Sequence, residues 1–441
     1  MCAVRSIRST PRSDIRTEIS DPGAYAYPVD FTMSKLLPLI CLALLHTLVD
    51  TCALLVAPVW PELESTFNLG IVALSVVFIV QSLPTSVSQG FFGYLRDRRS
   101  VPWLLLIGPL TAAICLTMIG TAPNRIVLCV LLTVGGIGVG AFHPEAAVAA
   151  GQMFPEHRAR SLSVFMLGGS CGLALGPILS GAVVSQFGLT GLLYVLPPII
   201  LLIPVLCWGV LRADIFRNPP AKRHDAKFAE MFEGRVVWAI ALFLICSFRL
   251  VPNMAMDKVV SFVMDQHGYD SLFTGFAQSL FLASASVGMF WMALKFRPGW
   301  ERGFMVACPI AGIPLLIVLG WQGCPFWLFV TLLVPTGLAL WGTTPAMVSY
   351  AQQLFPKGAG VASAITMGLA WGLGGLIQAP ITLFFRNSGI PQQALWGFVP
   401  CLAVAAIGAT FLPKVTESKE AETPSATQAI SSEVQPDPID A

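Results

Sequence analysis

The sequence predicts an all-α membrane protein, with twelve transmembrane helices in two pseudo-symmetric six-helix bundles. Three observations predict it. Of 441 residues, 55% are hydrophobic and only 11% are charged, where a soluble protein carries about 25%. The apolar residues gather in runs long enough to cross ~30 Å of hydrocarbon. The runs fall into two halves whose patterns match at an offset of 201 residues (Gly136 to Gly337).

In order, the predicted spans are Leu36–Trp60, Leu69–Tyr94, Val101–Gly120, Ile126–Met153, Ser161–Phe187 and Leu189–Leu211. The second half continues with Val236–Met264, Leu272–Leu294, Gly303–Trp321, Trp327–Leu354, Gly358–Phe385 and Ala394–Leu412. Glycine and proline lie inside these runs, which membrane helices tolerate better than soluble ones. Only Gly188 separates the fifth span from the sixth.

Residues 1–34 form a polar arm carrying Arg5, Arg8, Arg12 and Arg16 and no apolar core, so no secretory signal is expected there. Met33, directly before the first apolar run, is a second candidate start. Residues 35–211 make the first bundle, 212–235 a charged linker with Pro219-Pro220, and 236–412 the second bundle. Residues 413–441 are rich in Ser, Glu and Pro and read as a disordered tail.

Basic residues set the orientation. Connections 2–3, 4–5, 6–7, 8–9 and 10–11 hold 15 Lys and Arg, and the opposite connections hold two, Arg125 and Arg386. The first set is therefore expected in the cytoplasm, with both termini, as in a bacterial inner membrane. The net charge of +2 suggests no nucleic-acid partner. Eleven cysteines sit singly, with no CxxC, so neither a metal site nor a disulfide framework is expected.

The internal match is concentrated in the fourth and tenth spans. Gly136, Pro144, Gln152, Phe154-Pro155 and Met166 fall on Gly337, Pro345, Gln353, Phe355-Pro356 and Met367. Parallel repeats around a midplane site are a transporter architecture.

Ionisable residues inside spans are costly and mark candidate function. They are His46 and Asp50 on the first span, His143 and Glu145 on the fourth, and Arg249, Asp257 and Lys258 on the seventh. Helix rise puts Asp50 roughly 22 Å beyond Lys35, Arg249 roughly 21 Å beyond Arg235, and His143 roughly 22 Å before Arg158. The three therefore converge near the middle of the membrane. His46 and Asp50 share a face at i,i+4, and Arg249, Asn253 and Asp257 form a stripe. An offset of 203 lays Arg249 and Asn253 over His46 and Asp50, so the two stripes are expected to face each other across a cavity. Lys258 is expected to snorkel toward the outer surface.

His143 and Glu145 flank Pro144, which removes the hydrogen bond to the Gly140 carbonyl. One of them is expected to face the cavity and the other a neighbouring helix. Either Asp50 or Glu145 is a candidate proton carrier; burial raises a carboxyl pKa toward working pH. Arg249 is a candidate ligand for an anionic group, since guanidinium binds carboxylate or phosphate with two parallel bonds. The plain alternative for each is a hydrogen bond to a neighbouring helix backbone.

Two motifs concern movement. In "GYLRDRR", Gly93 permits close helix approach, Asp97 can cap a neighbouring helix, and Arg98 can pair with an acid. In "GLALGPILSG", Gly172, Gly176 and Gly181 permit tight packing, and Pro177 adds a bend.

These residues resemble the major facilitator superfamily. Gly93-x-x-x-Asp97-Arg98 is similar to its loop 2–3 signature, and Gly172-x-x-x-Gly176-Pro177 with Gly181 to its antiporter motif. His46-x-x-x-Asp50, Phe142-His143-Pro144-Glu145 and "SLSVFMLGGSCGLALGP" resemble the fosmidomycin-resistance efflux family. The loop signature departs from the usual pattern at Ser100 and Val101, and the second-half equivalent near Lys295 to Arg302 is degenerate. The resemblance implies alternating access and proton-driven export of a small anionic or drug-like molecule. It implies no cofactor, no metal and no catalytic residue, with protons, substrate and the bilayer as partners of a monomer. Uptake by symport and a non-transporting sensor are the alternatives. No HExxH supports an enzyme.

Overall fold

The computed structural model describes residues 33–154, 158–217, 232–295 and 299–415. The expected arm and tail lie outside these residues except at their inner edges, as does most of the linker.

Twelve helices long and apolar enough to span a membrane occur among the described residues. We label them α1 (Leu36–Phe67), α2 (Ile71–Arg96), α3 (Leu104–Thr121), α4 (Arg125–Met153), α5 (Ser161–Phe187) and α6 (Leu189–Leu211). The second half holds α7 (Val236–Gln266), α8 (Ser271–Trp291), α9 (Glu301–Leu319), α10 (Phe326–Leu354), α11 (Val361–Asn387) and α12 (Pro391–Phe411).

Every expected span is present, and most ends move by only a few residues. The first runs past Trp60 to Phe67, with a tighter turn at Ala57–Val59, and stops at Asn68 in the left-handed region (φ 47°). The tenth loosens after Trp341 and resumes at Thr344. Between α5 and α6, Gly188 takes φ +67°, which a side chain would resist, so a single residue turns the chain. Asn124 caps α4, its Oδ1 accepting from the Ile126 and Val127 amides at 3.0 Å. α4 continues as a helix through Pro144.

The apolar interior forms separate clusters. One is built almost wholly from α1 to α6, around Trp60, Phe78, Phe142 and Phe165. Two others use α7 to α12, around Phe281, Phe329 and Phe398 and around Tyr350 and Phe355. Large side chains such as Val72, Ile126, Leu201, Val237 and Phe411 remain exposed. Exposed apolar surface of this extent suits lipid rather than water.

Small residues draw the helices together. A Cβ on Gly168, Gly172 or Gly176 would meet the carbonyls of Ala43, Thr47 and Thr51, so α5 lies directly on the α1 backbone. The Thr47 hydroxyl donates to the Gly168 carbonyl at 2.8 Å and the Thr51 hydroxyl to that of Gly172 at 3.4 Å. On the far side of α5, Gly181 lies against the Ser271 carbonyl and Gly275 against that of Pro177. The Ser271 hydroxyl donates to the Gly181 carbonyl and the Ile178 amide to Ser279 Oγ. A second seam joins α2 to α11, where Gly372 and Gly375 approach Ser86 and Ser82.

The repeat is visible in the packing. Gly136 on α4 meets Thr85 of α2, and Gly337 on α10 meets Ser284 and the Phe281 carbonyl of α8. Positions paired by the 201-residue offset thus make equivalent contacts in the two halves.

Candidate functional site

A cavity of about 2370 Å³ lies between the two sets of six helices. Its mouth is at the arginine-rich end, where Arg96, Arg98, Arg99, Gln152 and Gln352 line it. Its walls reach inward to His46, Asp50 and His143 and on to Asp257 and Lys258.

Beyond Lys258 the far end is closed by contacts between the halves. The Ser261 hydroxyl donates to the Ala57 carbonyl at 2.6 Å and Gln278 Nε2 to the same carbonyl at 3.0 Å. Trp60 Nε1 donates to Asp257 Oδ2 at 3.2 Å, and Arg386 pairs with Glu64.

His46, Asp50 and His143 meet at one point. His46 Nε2 lies 3.2 Å from Asp50 Oδ2, and His143 Nε2 lies 3.2 Å from Asp50 Oδ1. The two Nε2 atoms are 3.2 Å apart. The opposite nitrogen of each ring is committed: His46 Nδ1 donates to the Phe165 carbonyl and His143 Nδ1 to the Val139 carbonyl, both at 2.8 Å. A carbonyl only accepts, so both Nδ1 atoms carry hydrogen and a neutral ring leaves Nε2 as an acceptor. The His46 ring stacks on Phe165 at 4.0 Å between centroids. Gly169 makes room for the cluster; a Cβ there would come within 2.5 Å of His46 Nε2 and 2.8 Å of Asp50 Oδ2.

This geometry has a chemical consequence. With Asp50 ionised and both rings neutral, three acceptors converge with no hydrogen between them. A cation, whether a proton or a metal, would satisfy such a cluster. Asp50 is 7% exposed, so solvent screens the repulsion poorly.

Glu145 faces the other way. It is buried, does not line the cavity, and lies 3.0 Å from Arg96 Nε. Its oxygens accept from Ser100 Oγ at 2.9 Å and from the Val101 amide at 3.1 Å. The two positions that depart from the loop signature are thus the ones that hold this carboxylate. Arg98, expected to pair with an acid, is exposed over the Tyr94 ring at 4.3 Å, and Arg96 takes the acid instead. A Cβ on Gly93 would meet Pro144 only at an ordinary contact distance. The expected role of the Asp97 side chain lies outside what the structure describes. Gly140 packs against Thr85 and Ser88 of α2.

Arg249 corrects the expected convergence. It is 2% exposed, is not among the cavity-lining residues, and turns to α10 instead of Asp50. Its Nη1 donates to the Leu340 carbonyl at 2.6 Å and its Nη2 to Thr344 Oγ1 at 3.3 Å. Asn253 donates to the same carbonyl at 3.2 Å while lining the cavity. The offsets explain this arrangement. His46 and Asp50 correspond to Arg249 and Asn253, and His143 corresponds to Thr344. Each stripe bonds the fourth helix of its own half; Arg249 turns from the cavity, while His46, Asp50, Asn253 and Asp257 line it.

Lys258 is a second correction. Instead of snorkelling it is buried, with Nζ 2.9 Å from Asp257 Oδ2 and 3.2 Å from the Met254 carbonyl. The rings of Trp60 and Phe78 lie 5.2 and 5.4 Å from the ammonium. An adjacent acid and two aromatic faces offset the cost of burial. Gln278, Trp341, Trp371 and Gln378 also line the cavity and escaped the sequence reading, because neutral polar side chains in an apolar run give no charge signal.

The family model described as Major Facilitator Superfamily matches residues 39–379. The chain belongs to the Major Facilitator Superfamily. It is therefore an integral, multi-pass membrane transporter and not an enzyme.

Among this transporter's relatives, YfnC of Bacillus subtilis (strain 168), an uncharacterized MFS-type transporter, is 24% identical over 88% of this chain and 94% of its own. The fosmidomycin resistance protein of Escherichia coli (strain K12) is 24% identical over 84% and 91%. Of solved structures, a bacterial homologue of the human lysosomal transporter Spinster, in an inward-facing and unoccupied conformation, aligns with a TM-score of 0.67. It is 16% identical and covers 88% of this chain and 99% of that one. The nucleoside transporter NupG aligns with a TM-score of 0.63 at 14% identity, covering 86% and 99%.

Proposed function

We propose that this transporter exports a small anionic or drug-like molecule by alternating access, in exchange for protons. The His46–Asp50–His143 cluster at depth in the cavity carries the reading. Its three converging acceptors take a cation, and its exposure to the cavity lets that cation exchange with one aqueous side at a time. The rocking parts are residues 35–211 and 236–412, and the arginine-rich mouth is the cytoplasmic one, as the basic asymmetry argues. In that orientation the cavity is open inward, ready to load cargo from the cytoplasm. The host is a bacterial inner membrane, with both termini inside.

The substrate wall differs in character from the proton wall. The first half presents His46, Asp50 and His143, and the second presents Asn253, Gln278, Trp341, Trp371 and Gln378 beside the paired Asp257 and Lys258. Amides and indoles hold amphiphilic molecules by hydrogen bonding and stacking. The resemblance to a fosmidomycin resistance protein supports efflux over uptake.

In proteoliposomes with an imposed pH gradient, Asp50→Asn is expected to cut gradient-driven flux at least tenfold while the protein remains folded. Fosmidomycin and a panel of carboxylates, phosphonates and amphiphilic drugs serve as cargo. Flux equal to wild type removes Asp50 from the coupling step, and protons moving with the cargo replace antiport by symport.

A further inference from the structure

We propose that His46, Asp50 and His143 form a binding site for a divalent transition cation of the zinc class. The singly placed cysteines suggest no metal site, and no second histidine stands at helical spacing from His143. The fold supplies one from a different helix. Donor atoms from α1 and α4 approach one another within 4.8 Å, and each imidazole Nε2 lies 3.2 Å from the other and from an oxygen of Asp50.

Those spacings suit a metal. Zinc bonds of ~2.0–2.1 Å to nitrogen place tetrahedral ligands ~3.3–3.4 Å apart, so the observed edges close around an ion with little movement. The donor set of two imidazoles and one carboxylate is that of an open zinc or cobalt site. The backs of both rings are already anchored, since each Nδ1 donates to a backbone carbonyl at 2.8 Å. Anchoring of this kind fixes the tautomer that presents a free Nε2 to the metal. Phe165 and Gly169 define the wall behind the ligands, and the cavity leaves a coordination position open in front.

The other half of the molecule supports the charge argument. The equivalents of His46, Asp50 and His143 are Arg249, Asn253 and Thr344. There a guanidinium supplies the positive charge and bonds to Thr344. In the first half acceptors occupy all three equivalent places, and none of the ion pairs of the described residues brings Lys or Arg to Asp50. One repeat carries its cation in the chain and the other presents a receptor for one.

Metal binding does not depend on the proposed transport cycle, but it uses the same lone pairs as the proton, so the two exclude each other. The test titrates Co²⁺ into the purified full-length protein in detergent and follows the visible d–d bands of low-symmetry cobalt. One equivalent is expected to bind, to be displaced by Zn²⁺, and to bind at least tenfold more weakly to His46→Ala and His143→Ala. Monodisperse elution of the variants confirms folding, and His143→Gln provides a variant that keeps the side-chain volume. Absence of the bands at millimolar Co²⁺, or equal affinity in the His46→Ala/His143→Ala double variant, overturns the site. Wild-type protein that binds Co²⁺ yet shows no gradient-driven flux sinks the coupling scheme and leaves the metal site standing. Flux without a cobalt signal does the reverse.

Discussion

Glu145 and His143 stand two positions apart on α4 and point to different places, one fastening the α2–α3 link and one facing the cavity. Removing the Glu145 carboxylate takes away the acceptor of Ser100 and of the Val101 amide and leaves Arg96 with its bond to Gln152. Breaking a buried pair on one side costs about 3 kcal/mol. Glu145→Ala is therefore expected to lower the thermal unfolding midpoint in detergent by several degrees. Glu145→Gln retains one acceptor oxygen and is expected to fall between alanine and wild type, with gradient-driven flux preserved. Flux lost in Glu145→Gln at unchanged stability would return Glu145 to the proton path. The sequence already separates these two residues, because neighbours two apart cannot share a helical face. Which one turns inward depends on what packs behind α4, and that is tertiary information.

At the scale of helices, α5 is held between α1 and α8 by contacts that leave no space for a side chain. A Cβ at Gly172 would meet the Thr47 carbonyl and lie 3.0 Å from Asp50 Cβ, whereas one at Gly303 would meet nothing within 4 Å. Gly172→Ala is expected to cost about 1–3 kcal/mol through overpacking, and Gly303→Ala to be neutral, in paired thermal-unfolding scans. Equal midpoints would mean that α5 can move off α1 freely. The twelve spans were legible from apolar runs because lipid demands a fixed length of hydrophobic helix. The antiporter-type glycines were legible too, since small residues at i,i+4 have few other uses in a membrane. The direction of the α7 stripe was not. Helix rise gives the depth of Arg249 but not its azimuth, and the buried Leu340 carbonyl, near the point where α10 loosens, draws the guanidinium away from the cavity.

The whole molecule is open at one end and fastened at the other by Glu64 with Arg386, Trp60 with Asp257, and Ser261 and Gln278 with the Ala57 carbonyl. Alternating access requires these contacts to part. A thiol cross-link between Glu64→Cys and Arg386→Cys is expected to stop transport and reduction to restore it, with each single variant insensitive to the reagent. Transport through the cross-linked protein would refute opening at this end. The architecture was readable in advance from the halves and the basic asymmetry. The cavity was legible only as a level in the membrane, because its walls include neutral amides and indoles that look like ordinary core.

The pairing of Arg249 with Thr344 in one half and of His46 with His143 in the other gives the two repeats unequal electrical characters. In the proposed cycle Arg249 is a permanent charge that moves only with its bundle, whereas the charge at Asp50 follows what is bound there. Membrane voltage acts on a displaced elementary charge with ~2.3 kcal/mol per 100 mV across the full thickness. The field therefore distinguishes the loaded first half from the empty one while treating the second half alike in both. A voltage jump should thus bias the cycle only through steps in which the first bundle's occupancy changes.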